Sequence, residues 1–411
     1  MKKSFYLGAL LPLQLFSQQK NIDYYITLGL QNSPLLKEYQ FQVESNKIDS
    51  QRVRASYGLQ VNGSSTGIYA PVVKGWGYDG VITNFHTYNA LVGISQIITG
   101  KEKLNNQYLL LQLKNLGLQN QGIISEQELR RSITQQYITT YGDMLQINFS
   151  RELLILLKQE ETLLKKLTEK GAYKQTDYLS FLVTIQQQEL SLKQLQIQYQ
   201  NNFATLNYIT GINDTAYTDL QPPALSLPEI PDLPQTVYYE QFRIDSLKIR
   251  TEDKQIDFSY RPRLSIFADG GYNSSFATTP YKNIGLSAGL AVTVPIYDGK
   301  QRKMQHQQNT LSERSRKNYQ DFFSAQYSQQ IAQLKQQLIL TEQLIDQSIT
   351  QINYVEGLIK AQRQQLVTGD IRITDYIIAI SNYLNTKNII TLNTINKFQI
   401  INQINYWNRK L

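Results

Sequence analysis

The sequence predicts a mainly helical fold with a β-barrel portion. It is built from two structural repeats, each joining a β-hairpin to a long, coiled-coil-like helical hairpin. Three observations predict this. Prolines leave two long stretches empty, between Pro71 and Pro222 and from Pro295 to the end, and proline is excluded from helix interiors. Segments with two-residue apolar alternation precede each empty stretch. Two glycine turns of one type, "GAYKQTDYLSFL" from Gly171 and "GDIRITDYIIAI" from Gly369, then follow at matching distances.

In chain order, residues 1–17 read as an export signal. Lys2 and Lys3 open it, Phe5 to Phe16 form an apolar core, and Ser17 and Gln18 offer a cleavage point. The core falls short of the ~20 residues that cross a bilayer. The chain has no cysteine, which excludes disulfides, thiol chemistry and a cysteine-borne lipid anchor.

The first repeat covers 18–211. Its strands are expected within about 57–99, in "LQVNGSSTGIY" (59–69) and "FHTYNALVGISQII" (85–98). There Tyr88, Ala90, Val92 and Ile94 alternate with Thr87, Asn89, Leu91 and Gly93. A long helix is expected over about 101–170, where Leu153, Leu154, Leu157, Leu164 and Leu167 keep a three-four rhythm. The tip turn is 171–177. Residues 212–234 form a connector that holds five of the 11 prolines.

The second repeat covers 235–411. Its strands are expected within about 263–298, where Leu286, Ala288, Leu290, Val292 and Val294 alternate with Gly285, Ser287, Gly289, Ala291 and Thr293. A long helix is expected over about 300–368, with its stripe at Ile331, Leu334, Leu338, Leu344 (with Ile345) and Ile352. The tip turn is 369–375. Both stripes are narrow and flanked by Gln, Asn and Thr, which fits helices packed as a wall with one wet face.

The halves also match in spacing. "IITGK" (97–101) corresponds to "IYDGK" (296–300); from Gly100 to Gly171 is 71 residues and from Gly299 to Gly369 is 70. About 70 helical residues make a rod of roughly 105 Å. Strands of ~9–11 residues with one apolar face suit a transmembrane barrel, and the same pattern suits a small soluble sheet. In lipid, every unpaired strand amide costs several kcal/mol. A barrel needs about eight strands, so four strands demand at least two copies, and three copies give twelve.

These features, in this order and spacing, resemble the TolC-type outer membrane efflux proteins over essentially the whole mature chain. The resemblance implies a homotrimer with a twelve-stranded outer-membrane barrel on a long periplasmic α-helical tunnel. It further implies outer-membrane lipid around the barrel, a periplasmic adaptor at the helical tips and an inner-membrane transporter that supplies energy. Gly171 and Gly369 then end helices at the periplasmic tips, Thr176 or Thr374 caps the next helix, and Asp177 or Asp375 sits in its first turn.

By the same resemblance, Asp375 supplies a ring of three carboxylates at the periplasmic aperture, with Ile378 where the family's pattern has a second aspartate. Thr176 and Asp177 match the pair that latches the tunnel shut. Their partner tyrosine and arginine fall at Leu366 and Ile371 and are missing, so Arg372 is the candidate partner of Asp177.

No catalytic, cofactor-binding or metal-binding constellation is expected. The only histidines, His86 and His306, stand 220 residues apart and read as solvated or lumen-facing. Net charge is +8 with Lys and Arg scattered along the chain, which argues against nucleic acid as a partner. The reading is a passive exit duct rather than an enzyme, located in the outer membrane with a long periplasmic extension. The exit channel of a one-step protein secretion system and a soluble periplasmic coiled-coil scaffold stay open as alternatives. The exported substrate is not encoded in any of these features.

Overall fold

The computed structural model describes residues 20–79, 85–214, 217–276 and 279–410. The export signal read at 1–17 lies outside them. Among these residues seven α-helices and four strands follow in the order α1 (Ile22–Asn32), α2 (Pro34–Ser56), β1 (Gln60–Tyr69), β2 (His86–Ile98), α3 (Lys101–Glu169), α4 (Gln175–Thr210), α5 (Val237–Ser259), β3 (Arg263–Ser274), β4 (Ile284–Thr293), α6 (Gln301–Thr368) and α7 (Ile373–Trp407). The chain divides into two compact units that cut across the sequence repeats: residues to 34, 126–230 and 328–409 in one, and 35–125, 231–327 and 410–411 in the other.

The second unit holds the sheet. All four strands pair antiparallel in the order β1-β2-β3-β4, so the two hairpins fuse through β2 and β3. Register places Val61, Ile94, Ala268 and Ala288 side by side, and Asn62, Gly93, Asp269 and Ser287 side by side. One face is therefore apolar and the other small or polar. Ser287 Oγ donates to Asp269 Oδ1 at 2.9 Å across the polar face. On the apolar face Leu286 is 92 % exposed, and Leu290 and Val292 are exposed as well. β4 ends at Thr293 rather than near 298, because Pro295 has no amide to extend a ladder.

Beneath the sheet, asparagines bind helix to helix. Asn106 Nδ2 donates to Thr251 O at 3.1 Å and Asn120 Nδ2 to Val237 O at 3.0 Å, tying α3 to α5. Between α5 and α6, His306 lies 2.6 Å from Asp253 Oδ1 through Nδ1 and 3.2 Å from Asp257 Oδ1 through Nε2. The expectation of a merely solvated or lumen-facing histidine is thus corrected: both ring nitrogens face carboxylates, and the Asp253 hydrogen bond leads in raising its pKa.

The first unit is built around tyrosines. Tyr25, Tyr137, Tyr199 and Phe203 are buried together. Tyr199 hydroxyl donates to Thr218 O at 2.6 Å and Tyr137 hydroxyl to Gln221 O at 2.8 Å. The connector runs without regular secondary structure from 217 to 232, so its carbonyls need partners from elsewhere. A buried tyrosine presents an apolar ring to the core and a hydroxyl to that backbone.

The apolar seam of α6 differs in one place from the sequence reading. Ile331, Leu334, Leu338, Ile352 and Val355 are buried as a three-four rhythm requires, but Leu344 is exposed. Steps of three and four from Leu338 land on Thr341, Ile345 and Ser348; Thr341 and Ser348 are buried and Ile345 is half-buried. The seam keeps its seven-residue period by accepting small polar side chains.

Candidate functional site at the hairpin tips

Both tip turns close in the same way. Gly171 (φ 77°) and Gly369 (φ 83°) are left-handed, a conformation open to glycine without penalty. Ala172 N donates to Leu167 O at 2.9 Å and Asp370 N to Gln365 O at 3.0 Å, the six-to-one bond of a Schellman ending. Each following helix is preceded by an extended basic residue, Lys174 for α4 and Arg372 for α7, with no side-chain cap.

Thr176 and Thr374 are therefore not the capping residues expected. The Lys174 and Arg372 carbonyls already accept the first helical bonds, which puts each threonine one residue inside the helix. Asp177 and Asp375 do stand in first turns, where the helix dipole favours a carboxylate.

The pairing of Arg372 with Asp177 is corrected too. Arg372 Nε lies 3.4 Å from Asp375 Oδ2 on its own helix, because an i,i+3 partner is within reach without any movement. Asp177 forms no ion pair among the described residues. Thr374, Asp375 and Ile378 lie off the packed face of α7, while Ile373, Tyr376 and Ile380 on the opposite side are buried.

Three side chains that the sequence reading passed over join the two tips. Tyr173 hydroxyl reaches across to Leu366 O at 2.9 Å and Ile371 O at 3.1 Å. These are the two positions where the resemblance placed a missing tyrosine and a missing arginine. A tyrosine from the first tip thus grips the second by its backbone. Further from the turns, Arg363 Nε donates to Glu160 Oε1 at 2.6 Å, joining α6 to α3.

The Glu160 side chain is 1 % exposed and belongs to an otherwise apolar layer with Leu157, Leu164, Leu366 and Tyr376. Its Oε2 and the Tyr376 hydroxyl have no hydrogen-bond partner among the described residues. Burial raises the Tyr376 pKa, with the Glu160 charge adding to it, so Tyr376 stays neutral. The signal for Glu160 was present in the sequence: the rhythm 153, 157, 164 passes through 160. A charged residue on a seam position marks a register point or a switch.

No protein-family profile and no curated protein sequence matches the chain. Solved structures do. CusC, in a study of its folding and transmembrane channel formation, superposes with a TM-score of 0.78 at 12% identity, covering 95% of this chain and 92% of that one. The outer membrane protein VceC of Vibrio cholerae gives 0.76 at 13%, over 95% and 96%. The open state of the MtrE outer membrane channel of Neisseria gonorrhoeae gives 0.72 at 10%, over 94% and 88%. The fold is that of the TolC-type outer-membrane channels. At these identities the likeness concerns backbone architecture, so the roles of tip residues rest on the contacts of this chain.

Proposed function

We propose that this chain is one third of a passive exit duct in the outer membrane. Three copies would pool twelve strands into a barrel and their helices into a periplasmic tunnel. Residues 18–211 and 235–411 act as the two repeats, with 212–234 as the connector between them. The duct takes small molecules delivered by an inner-membrane transporter through a periplasmic adaptor and passes them outward without consuming energy.

The observation that carries this reading is the sheet. It has four strands, an outward row of exposed leucine, isoleucine and valine on one face, and edges at β1 and β4 that pair on one side only. Such a surface is stable in lipid and only when its edges meet further strands. A soluble scaffold would leave the apolar row in water, so the sheet favours the duct over that alternative. Around a threefold axis Asp375 forms the acidic aperture ring with Ile378 behind it, and a single acidic ring implies weaker cation selectivity than a double one.

The experiment is direct. Light scattering in detergent is expected to give three chains per particle, and planar bilayers are expected to show discrete conductance steps. A stable single subunit that leaves bilayers silent overturns the proposal.

A further inference from the structure

The four strands are nearly free of charge, and the exceptions fall in an order. Neither β1 nor β4 contains Asp, Glu, Lys, Arg or His; β2 has His86 at its first residue, and β3 has Arg263 at its first residue and Asp269 near its middle. Asp269 is thus the one carboxylate of the four strands. Register puts it on the polar face, beside Gly93 of β2 and Ser287 of β4, with Asn62 of β1 in the same row. Arg263 shares that face six residues earlier, about 20 Å along the strand. His86 belongs to the opposite, apolar face, where it pairs with Tyr69.

No cation answers this carboxylate. Its partner is a neutral donor, Ser287 Oγ at 2.9 Å, and Asp269 makes no ion pair among the described residues. The side chain is half-buried and its neighbour on β2 is a glycine. A Cβ added to Gly93 would come no nearer than 3.8 Å to Asp269 Cβ, so the space beside the carboxylate is open. Aspartate is depleted in strands, and this one stands mid-strand, with neither a turn nor a counterion to account for it. A residue that breaks a local rule without a compensating contact points to function.

We propose that Asp269 is a cation-selecting residue of the barrel wall. The inference rests on the duct reading. With the apolar face in lipid, the polar face lines the lumen, and three copies set three Asp269 carboxylates at one level around the axis. Acids in a wall of low dielectric focus their field into the water they enclose and favour cations over anions. The residue filters ions and does not hold one, since no second acid stands beside it in its own row. Its ring is additional to the one at Asp375, and Arg263 opposes it on the same wall. At about 0.1 M salt the screening length is ~10 Å, half the ~20 Å between Asp269 and Arg263, so the two act separately.

The test reads reversal potentials of the full chain in planar bilayers under a potassium chloride gradient, which give the ratio of potassium to chloride permeability. Asp269→Asn preserves the shape and the contact with Ser287. It is expected to lower the ratio by about twofold near 0.1 M salt and to leave it unchanged near 1 M, where screening acts within ~3 Å. Asp269→Glu is expected to keep the wild-type ratio and Arg263→Gln to raise it. Gly93→Lys places an ammonium in the open space beside the carboxylate and is expected to lower the ratio as Asp269→Asn does. Asp269→Asn combined with Asp375→Asn is expected to show the product of their separate effects, as independent sites do.

A ratio that ignores both Asp269→Asn and Gly93→Lys overturns the proposal. So does a ratio that falls equally at both salt concentrations, or one that Asp269→Glu fails to preserve, since either marks a change of shape and not of charge. Should Asp269→Asn fail to assemble, Gly93→Lys decides alone, a lowered ratio supporting the proposal and an unchanged one overturning it. A wild-type chain that leaves bilayers silent refutes the duct and the ring with it; a conducting chain whose ratio these variants do not move refutes the ring and leaves the duct standing.

Discussion

Replacing Arg363 with alanine leaves the Glu160 carboxylate as a charge without a counterion inside an apolar layer. Removing one partner of a buried ion pair typically costs about 3–5 kcal/mol. Here the geometry is asymmetric: Glu160 is 1 % exposed and Arg363 57 %. Water can therefore approach from the arginine side and recover part of the loss, which brings the expected cost to about 2 kcal/mol. At about 1.4 kcal/mol per decade, that is roughly a 30-fold rise in local opening. Hydrogen exchange reads it directly, since local openings set amide protection. Peptides from 155–180 and 360–380 are expected to exchange roughly 30-fold faster, and those from β3 and β4 at the wild-type rate. The double variant Glu160→Leu with Arg363→Leu removes both charges and should restore most of the protection. Unchanged exchange at the tips, or an equal acceleration in the sheet, refutes the view that this pair holds the hairpins together.

Other consequences can be measured separately. Tyr376→Phe deletes a buried hydroxyl that lacks a hydrogen-bond partner among the described residues, so a melting curve should show equal or higher stability, by up to about 1 kcal/mol; a marked loss would reveal a hidden partner. The His306 pKa is raised, first by the Asp253 hydrogen bond and further by Asp257, while Arg302 competes for Asp257 at 2.7 Å. A raised folded pKa means the clasp between α5 and α6 is fully present below the ordinary histidine value of about 6.5 and is lost as pH rises through the folded value. Amide protection around 253–257 should fall over that range in the wild type and stay flat in His306→Gln; parallel curves would discount the clasp. Gly271 has φ 151°, and an added Cβ would run into the Ala90 carbonyl, so Gly271→Ala should abolish assembled protein. Gly369→Ala meets open space and bears only left-handed strain of about 1–2 kcal/mol. It should therefore still assemble, with a lower melting point.

Much of the architecture was legible because it depends on local signals. Absent prolines marked α3 and α6, glycines with obligatory positive φ marked the tips, and the alternation from Gly285 to Val294 marked β4. The α6 seam passes through Ile345 and leaves its neighbour Leu344 exposed, because strict period outranks apolar character; Thr341 and Ser348 hold the register although they are polar. At the tips the acids were visible and their partners were not. Arg372 bonds within its own helix, a competition that spacing between hairpins does not reveal. Tyr173 binds carbonyls rather than side chains, so no residue at 366 or 371 advertises it. Glu160 resembled its solvated neighbours Lys158 and Glu161, and only its step in the rhythm set it apart.

The fusion of the two hairpins through β2 and β3 also constrains how the molecule is made. Leu264 pairs with Ile98, so the sheet's middle joint waits until 166 further residues have emerged, whereas β1 with β2 and β3 with β4 can close early. Joints of high sequence separation form slowly, since the loop between them must be ordered first. During that interval each two-stranded ribbon presents bare amides along β2 or β3 together with its greasy face. The nascent polypeptide is then at its most sticky, and an escort that shields those ribbons should matter more for yield than the stability of the finished product.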